Sequence, residues 1–360
     1  MVNQVSNTFG IKKRKVLTLS VIISLFVLYS CGEEVESPVE LSALEINGEA
    51  QGTTYSIIIC DSNIAVTKSE IDSVLTAFDQ VLSTYVESSV ISKMNNASDS
   101  IRVIDSTGYF KRCYDRSLEV YQNTNAAFDP SVFPLVKGWG FMQSPQEPIS
   151  KEEVDSLLAF VSFEPGELFD ITFSGDEIFY QKKNAAYRLD FNAVAQGLSV
   201  DVLKEFLDGK GAKNYYLELG GELIVSGKNR EGDNWRIGID APIDSLDQRV
   251  LENIIHISNK AVATSGNYRK YYIKDGVKYA HTIDPITGYP VQHTLLSATV
   301  ISDDCAKADA YATAFMVLGK EKTIQLLDDL EASLDVYLIY SDDSGDLKHW
   351  YTTGFQSYLK

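Results

Sequence analysis

Along the chain the spacing of apolar and polar positions changes repeatedly, and each change marks an element. Thr53 to Cys60 (TTYSIIIC) is rich in β-branched residues and predicts a strand. Thr67-Lys-Ser-Glu70 has the form of a capping box, and Ile71, Leu75, Phe78 and Leu82 follow at helical spacing, so a helix begins there. Ser150-Lys-Glu-Glu153 is a second box, ahead of Val154, Leu157 and Leu158. Between these helices, the prolines and glycines of Ala127 to Gly140 predict an irregular loop. Ile171 to Gln181 reads as a hairpin turning at Ser174-Gly-Asp176; a strand from Tyr187 to Phe191 and a helix from about Ala195 to Leu207 come next. Strands at Tyr215 to Leu219, Glu222 to Ser226 and Trp235 to Asp240 follow. A second hairpin turns at Lys274-Asp-Gly276, Ala298 to Ser302 is a strand, and a last helix runs from near Cys305 to Leu318. This irregular alternation, with several hairpin signals, predicts an α+β fold rather than a doubly wound parallel sheet.

The N-terminus follows another pattern. Lys12, Lys13, Arg14 and Lys15 precede the apolar run Val16 to Tyr29, and Ser30 and Cys31 come next. A positive region before an apolar run too short to span a bilayer comfortably is the order of a secretory signal. Leu28-Tyr29-Ser30-Cys31 resembles a bacterial lipobox, in which the cysteine is lipidated; a plain cleaved signal or an anchoring helix is the alternative. Gly32 to Pro38 reads as a polar tether. Residues 1–30 are therefore assigned to the signal, 31–40 to the lipidated tether and 41–360 to the folded domain. A protein anchored by lipid on the extracytoplasmic side of a bacterial membrane is expected.

Charge narrows the partners. The chain has 32 basic and 50 acidic residues, a net charge of −18, and loss of the leader's four cations leaves about −22. No surplus of Lys and Arg exists to displace counterions, which argues against nucleic acid. An anionic ligand would need local help from a metal, backbone amides or a helix N-terminus. Cys60, Cys113 and Cys305 have no CxxC spacing, so buried thiols are expected rather than a disulfide framework or a zinc site.

Three segments carry candidate chemistry. Asp309 and Thr313 lie four apart on the last helix and share a face. A carboxylate beside a hydroxyl suits a hard cation such as Mg²⁺, although such a pair is more often a cap or solvent-facing. Ala280-His-Thr-Ile-Asp-Pro-Ile-Thr-Gly-Tyr-Pro290 sets His281 and Asp284 three apart before turns punctuated by Pro and Gly. There Asp284 could simply cap the turn around Thr287 and Gly288. Leu189 to Gly197 (LDFNAVAQG) leads into a helix whose amides can face an anion, without GxGxxG or a P-loop lysine.

In order, Gln51-Gly-Thr-Thr-Tyr55, Leu82-Ser-Thr-Tyr85, Ala127-Phe-Asp-Pro130, Leu189 to Gly197, Gly220-Gly-Glu222, Ala263 to Tyr268, His281 to Gly288 and Ala308 to Thr313 resemble the motifs of the ApbE flavin transferases. The resemblance implies mixed, largely antiparallel sheets with packed helices, in a T-fold-related architecture. It implies transfer of FMN from FAD to a Thr or Ser of an acceptor protein, such as a redox pump subunit or a flavin-dependent reductase. It makes the side chains of Asp309 and Thr313 and the carbonyl of Ala193 ligands to Mg²⁺. Gln51, Tyr85, Ala127, Phe128, Asp129, Asp190, Gln196 and Ile283 would line the FAD pocket, with Tyr85 stacked on the isoalloxazine ring. Gln51 stands where many members have methionine, Gln196 where lysine or glutamate is common, and Asn192 where a small residue is usual. Ala312 lies where some members add a ligand, and its side chain cannot serve.

Within that resemblance His281 is the general base for the acceptor hydroxyl, and Asp284 is either the alternative base or the group that orients His281. An FAD pyrophosphatase would share every one of these residues, and a non-catalytic flavin-binding lipoprotein would need neither His281 nor Asp309.

Overall fold

The computed structural model describes residues 43–141, 147–243, 250–268, 270–330 and 333–359. The signal, the tether and Cys31 lie outside these residues. A hairpin of β1 (Leu44–Ala50) and β2 (Thr53–Ile59) is followed by α1 (Lys68–Leu82), α2 (Val90–Asn96), β3 (Ser100–Ile104), α3 (Tyr109–Asn123), α4 (Phe133–Gly138) and α5 (Lys151–Leu158). Then come β4 (Phe169–Ser174), β5 (Glu177–Lys182), α6 (Asn192–Gly209), β6 (Tyr215–Leu219), β7 (Glu222–Ser226), β8 (Trp235–Asp240), β9 (Leu251–Ile257) and β10 (Lys260–Gly266). The ribbon β11 (Tyr271–Lys274) and β12 (Val277–Ala280), then β13 (Leu295–Ser302), α7 (Cys305–Asp329), β14 (Asp335–Ser341) and β15 (Leu347–Tyr351) complete the order.

Eight strands form one sheet, β1-β2-β6-β7-β10-β13-β14-β15, in which every neighbouring pair is antiparallel. Alternation along the strands sends side chains to two cores. Leu217, Ile224, Ala261 and Leu338 face the helices, while Leu223, Val225, Val262 and Ile301 meet Trp235, Ile237 and Ile255 of the β8–β9 ribbon on the other side. The α+β class is as the pattern predicted, and the antiparallel sheets are as the resemblance implied.

Both capping boxes form: Thr67 accepts from the Glu70 amide ahead of α1, and Ser150 from the Glu153 amide ahead of α5. Two local expectations need correction. Tyr187 to Phe191 is not a strand. The Asn95 amide from α2 takes the place of a neighbouring strand, donating to the Leu189 carbonyl at 2.7 Å and accepting from its N–H at 2.8 Å. Ala127 to Gly140 is not wholly irregular, because α4 forms within it, with Pro134 in the first turn where its missing N–H costs nothing. The last helix also outruns its expected end: Gly319 kinks it at φ 75°, and helix resumes to Asp329.

The cysteines behave as expected, Cys60, Cys113 and Cys305 being free and buried.

The centre of the helical layer is the crossing of α6 and α7. Ala306, Ala308, Ala310, Ala312 and Ala314 are all buried, and such small side chains let α7 lie close against both the sheet and α6. At the closest point a Cβ on Gly197 would stand 2.5 Å from the Cys305 carbonyl oxygen, so only glycine fits. Asp201 then caps α7 from its neighbour, accepting from the Cys305 amide at 2.8 Å and the Ala306 amide at 2.9 Å. Burial pushes the Asp201 carboxyl up to about 7 in spite of those two donors.

Asp201→Ala should lower the unfolding free energy by about 2–4 kcal/mol, since it orphans two buried amides and leaves a void. Urea denaturation measures it beside Asp155→Ala, which removes only an exposed pair with Lys151 and should change stability by less than about 1 kcal/mol. Equal, small effects would show that the crossing does not depend on this cap.

Candidate active site

A cavity of about 900 Å³ opens where α6 and α7 meet the β1–β2 turn, the end of α1 and the loops around 127–141 and 264–285. Gln51, Tyr85, Ala127, Phe128, Asp129, Asp190, Ala193, Gln196, His281, Ile283, Asp309 and Thr313 all line it. Asp284 does not. Its Oδ1 accepts from the Ile286 amide at 2.9 Å, and its carbonyl accepts from the Gly288 amide, so it holds the turn that carries His281.

At the floor, α6 begins irregularly. Ala193 has φ −86° and ψ 15°, outside helical geometry. The Gly197 amide, which a regular helix would aim at the Ala193 carbonyl, donates to Asp309 Oδ2 at 3.1 Å. One crossing contact therefore both fixes Asp309 and loosens the first turn of α6. Thr313, one turn along α7, shares a 3.2 Å hydrogen bond with Ser265 at the end of β10.

Glu222, the first residue of β7, also lines the cavity. It is buried, and its Oε2 has no hydrogen-bond partner. Burial raises the carboxyls of both Asp309 and Glu222, and the Asp309 charge raises Glu222 further. Two buried acids, one with an orphaned oxygen, beside a hydroxyl form a set of hard oxygen donors that fits Mg²⁺. Among the described residues no group of three or more His, Cys, Asp or Glu side chains is gathered to hold a metal. A cation here would therefore rest on few protein ligands, leaving coordination positions for ligand phosphate oxygens.

Asp129 is buried and committed to its own loop, with Oδ1 accepting from the Ser131 amide at 2.7 Å and Oδ2 from the Phe163 amide at 3.2 Å. Burial pushes its carboxyl up to about 6. Asp190 caps the start of α6 through the Asn192 amide at 2.9 Å. Gln51 occupies the left-handed region at φ 54° in the tight β1–β2 turn, and its Nε2 is buried without a partner. Gln196 lies over Gly220, where a Cβ would reach within 1.8 Å of its Nε2. Tyr85 is 77% exposed at the rim, which excludes a core tyrosine and leaves its ring face open.

His281 sits across the cavity. Its Nδ1 lies 3.2 Å from the Lys270 carbonyl, which can only accept, so Nδ1 carries the proton and Nε2 keeps its lone pair. Burial lowers the imidazole pKa, with the Lys270 charge adding to it, which keeps the ring neutral near pH 7.

Sequence reasoning gave Glu222 no role and did not single out Asp201. Asp201 had a visible signal, a lone acid in the run Leu198-Ser-Val-Asp-Val-Leu203. Glu222 had only its place in a motif.

Buried carboxylates, a hydroxyl and a neutral histidine thus surround one large cavity in an α+β frame, a chemistry that suits a phosphate-bearing ligand. The ApbE family pattern matches residues 51–338. A Vibrio cholerae protein named FAD:protein FMN transferase is 33% identical over 95% of this chain and 98% of its own length. Its Escherichia coli K12 counterpart is 32% identical over 89% of this chain and 90% of its own length. The solved structure of the flavin transferase ApbE from Vibrio cholerae superimposes with a TM-score of 0.76 at 32% identity, covering 88% of this chain and 99% of that one. That of the ApbE protein from Thermotoga maritima gives 0.71 at 26% identity, covering 89% and 100%. The chain belongs to the ApbE family, and it is an enzyme of the transferase class.

The buried pair yields a prediction for the metal-free protein. A carboxyl whose pKa is raised by folding takes up protons, so its contribution is favourable below the unfolded value near 4 and is lost as pH rises through the folded value. Asp309→Asn, which keeps an acceptor for the Gly197 amide, should therefore stabilise the protein in EDTA by about 1–3 kcal/mol at pH 8 and by less at pH 5. Urea midpoints at the two pH values provide the comparison, and a destabilised variant at pH 8 would contradict the electrostatic reading.

Proposed function

We propose that the protein is a lipid-anchored, Mg²⁺-dependent FAD:protein FMN transferase that joins FMN through a phosphoester to a Thr or Ser of an extracytoplasmic acceptor protein and releases AMP. The observation that carries this reading is the convergence of Asp309, Thr313 and His281 on one cavity large enough for a dinucleotide. The names of the Vibrio cholerae and Escherichia coli relatives support the same activity.

Mg²⁺ held by Asp309, Thr313 and the Ala193 carbonyl would neutralise pyrophosphate oxygens, which this acidic protein could not otherwise tolerate. The remaining work falls to the chain. Tyr85 offers a ring face at the rim for the isoalloxazine, and Gln196 offers an uncharged amide where family members commonly place a lysine or a glutamate. The His281 Nε2 lone pair takes the proton of the acceptor hydroxyl as its oxygen attacks the phosphorus on the FMN side. The bond from that phosphorus to the bridging oxygen breaks, and AMP leaves with the electron pair. Asp284 acts as a positioning residue, because its carboxylate is engaged by the turn that presents His281. With water in place of the acceptor, the same step releases free FMN and AMP.

Incubation with FAD, Mg²⁺ and a redox protein encoded beside this gene tests the reading, since flavin fluorescence that survives denaturation on the acceptor marks transfer. His281→Ala should lower the transfer rate by about 10²- to 10⁴-fold with FAD affinity little changed. Equal losses of affinity and rate would make His281 a pocket residue and place the base elsewhere.

The lipobox-like Leu28 to Cys31 supports anchoring at Cys31. Cys31→Ser should move the protein from the membrane to the soluble fraction with FAD turnover unchanged. Continued membrane retention of that variant would point to an uncleaved anchoring helix instead.

A further inference from the structure

The ribbon β11–β12 runs directly into His281 and differs in charge from the rest of the molecule. Residues 269–280 contain four basic residues and one acidic residue, in a chain whose net charge is −18. The register pairs Tyr272 with Tyr279 and Lys274 with Val277 on one face, and Tyr271 with Ala280 and Ile273 with Lys278 on the other.

The first face is occupied. Tyr272 and Tyr279 stack at 5.0 Å, Tyr279 stacks on Trp139 at 5.7 Å, and Lys274 bonds Glu147 at 3.0 Å. The second face is different. Ile273 is 63% exposed, the Lys278 ammonium lies 4.2 Å from the centre of the Tyr271 ring, and Tyr271 and Lys270 line the cavity. An aliphatic knob, an aromatic ring and the Lys278 ammonium thus form a surface at the cavity rim, and Lys270, just ahead of the ribbon, lines the cavity with its charge acting on His281.

Acceptor hydroxyl and base must come within about 3 Å for proton transfer. The partner's chain therefore has to pass this rim. The net charge of the chain opposes a segment bearing carboxylates, whereas the basic residues of this segment favour one. Resting on the transferase reading above, we infer that the Ile273/Lys278 face of the β11–β12 ribbon is the docking surface for an acidic stretch of the acceptor polypeptide beside its target hydroxyl. Lys278 and Lys270 would pair with the flanking carboxylates, and Ile273 would cover an apolar side chain between them.

The test uses the full chain in detergent with fluorescein-labelled decaglutamate and decalysine as probes, read by anisotropy at low salt. Decaglutamate should bind and decalysine should not. Lys278→Glu and Ile273→Asp should each weaken decaglutamate binding by about tenfold, with the loss shrinking as salt is raised for Lys278→Glu. Unchanged affinity in both variants, or no binding by the wild type, would overturn the inference. If the variants instead lose only binding to phosphatidylglycerol in mixed micelles, the face is a lipid contact and the inference fails. FAD fluorescence quenching in the same samples separates the two claims. Failure of the wild type to bind FAD would sink the transferase reading, whereas intact FAD binding with variant-insensitive peptide affinity would sink only the docking surface.

Discussion

The tight approach of Gly197 of α6 to the Cys305 backbone of α7 sets the position of the cavity floor. Because no side chain intervenes, the Gly197 amide reaches Asp309, and Asp201 reaches the first two amides of α7. The run of buried alanines keeps α7 low on the sheet, which places Asp309 at the cavity floor instead of in solvent. Any side chain at Gly197 would push the helices apart and separate the carboxylate from the loosened first turn of α6 in the same movement.

That arrangement carries an electrostatic cost. Asp309 and Glu222 are acids held away from water, with the Gly197 amide donating to Asp309 and with Glu222 Oε2 left without a partner. A core selected for stability alone would not retain such a pair. The pair makes sense if a cation supplies the missing positive charge, so that the site is relaxed only when loaded. The remaining polar groups of the cavity fit this picture. Asp129 and Asp190 are spent on their own loops and stiffen the walls, while Tyr85, Gln51 and the His281 Nε2 keep ring face, amide or lone pair available.

Much of this was legible because it is local. Capping boxes, hairpin turns and the helical spacing of Ile71, Leu75, Phe78 and Leu82 are written over a few residues, and they formed where expected. The expected pocket residues also came together, since each sat in a short motif with its own turn chemistry. What failed to show depends on partners far away in the chain. Tyr187 to Phe191 has the composition of a strand, yet its backbone is satisfied by Asn95, 94 residues from Leu189. Glu222 looks like an ordinary strand-initial acid until Asp309, 87 positions later in the sequence numbering, is seen to share its burial. Asp284 was ambiguous between base and turn, and only the folded loop shows its Oδ1 accepting from the Ile286 amide, outside the cavity lining.

If the crossing of α6 and α7 builds a floor that is completed by a divalent cation, FAD affinity must depend on that cation through Asp309. Titrating FAD into the protein and following flavin fluorescence, with Mg²⁺ and then with EDTA, measures this directly. The expected result is binding at least about tenfold tighter with Mg²⁺ in the wild type and no difference between the two conditions in Asp309→Ala. Equal FAD affinity with Mg²⁺ and with EDTA in the wild type would contradict it.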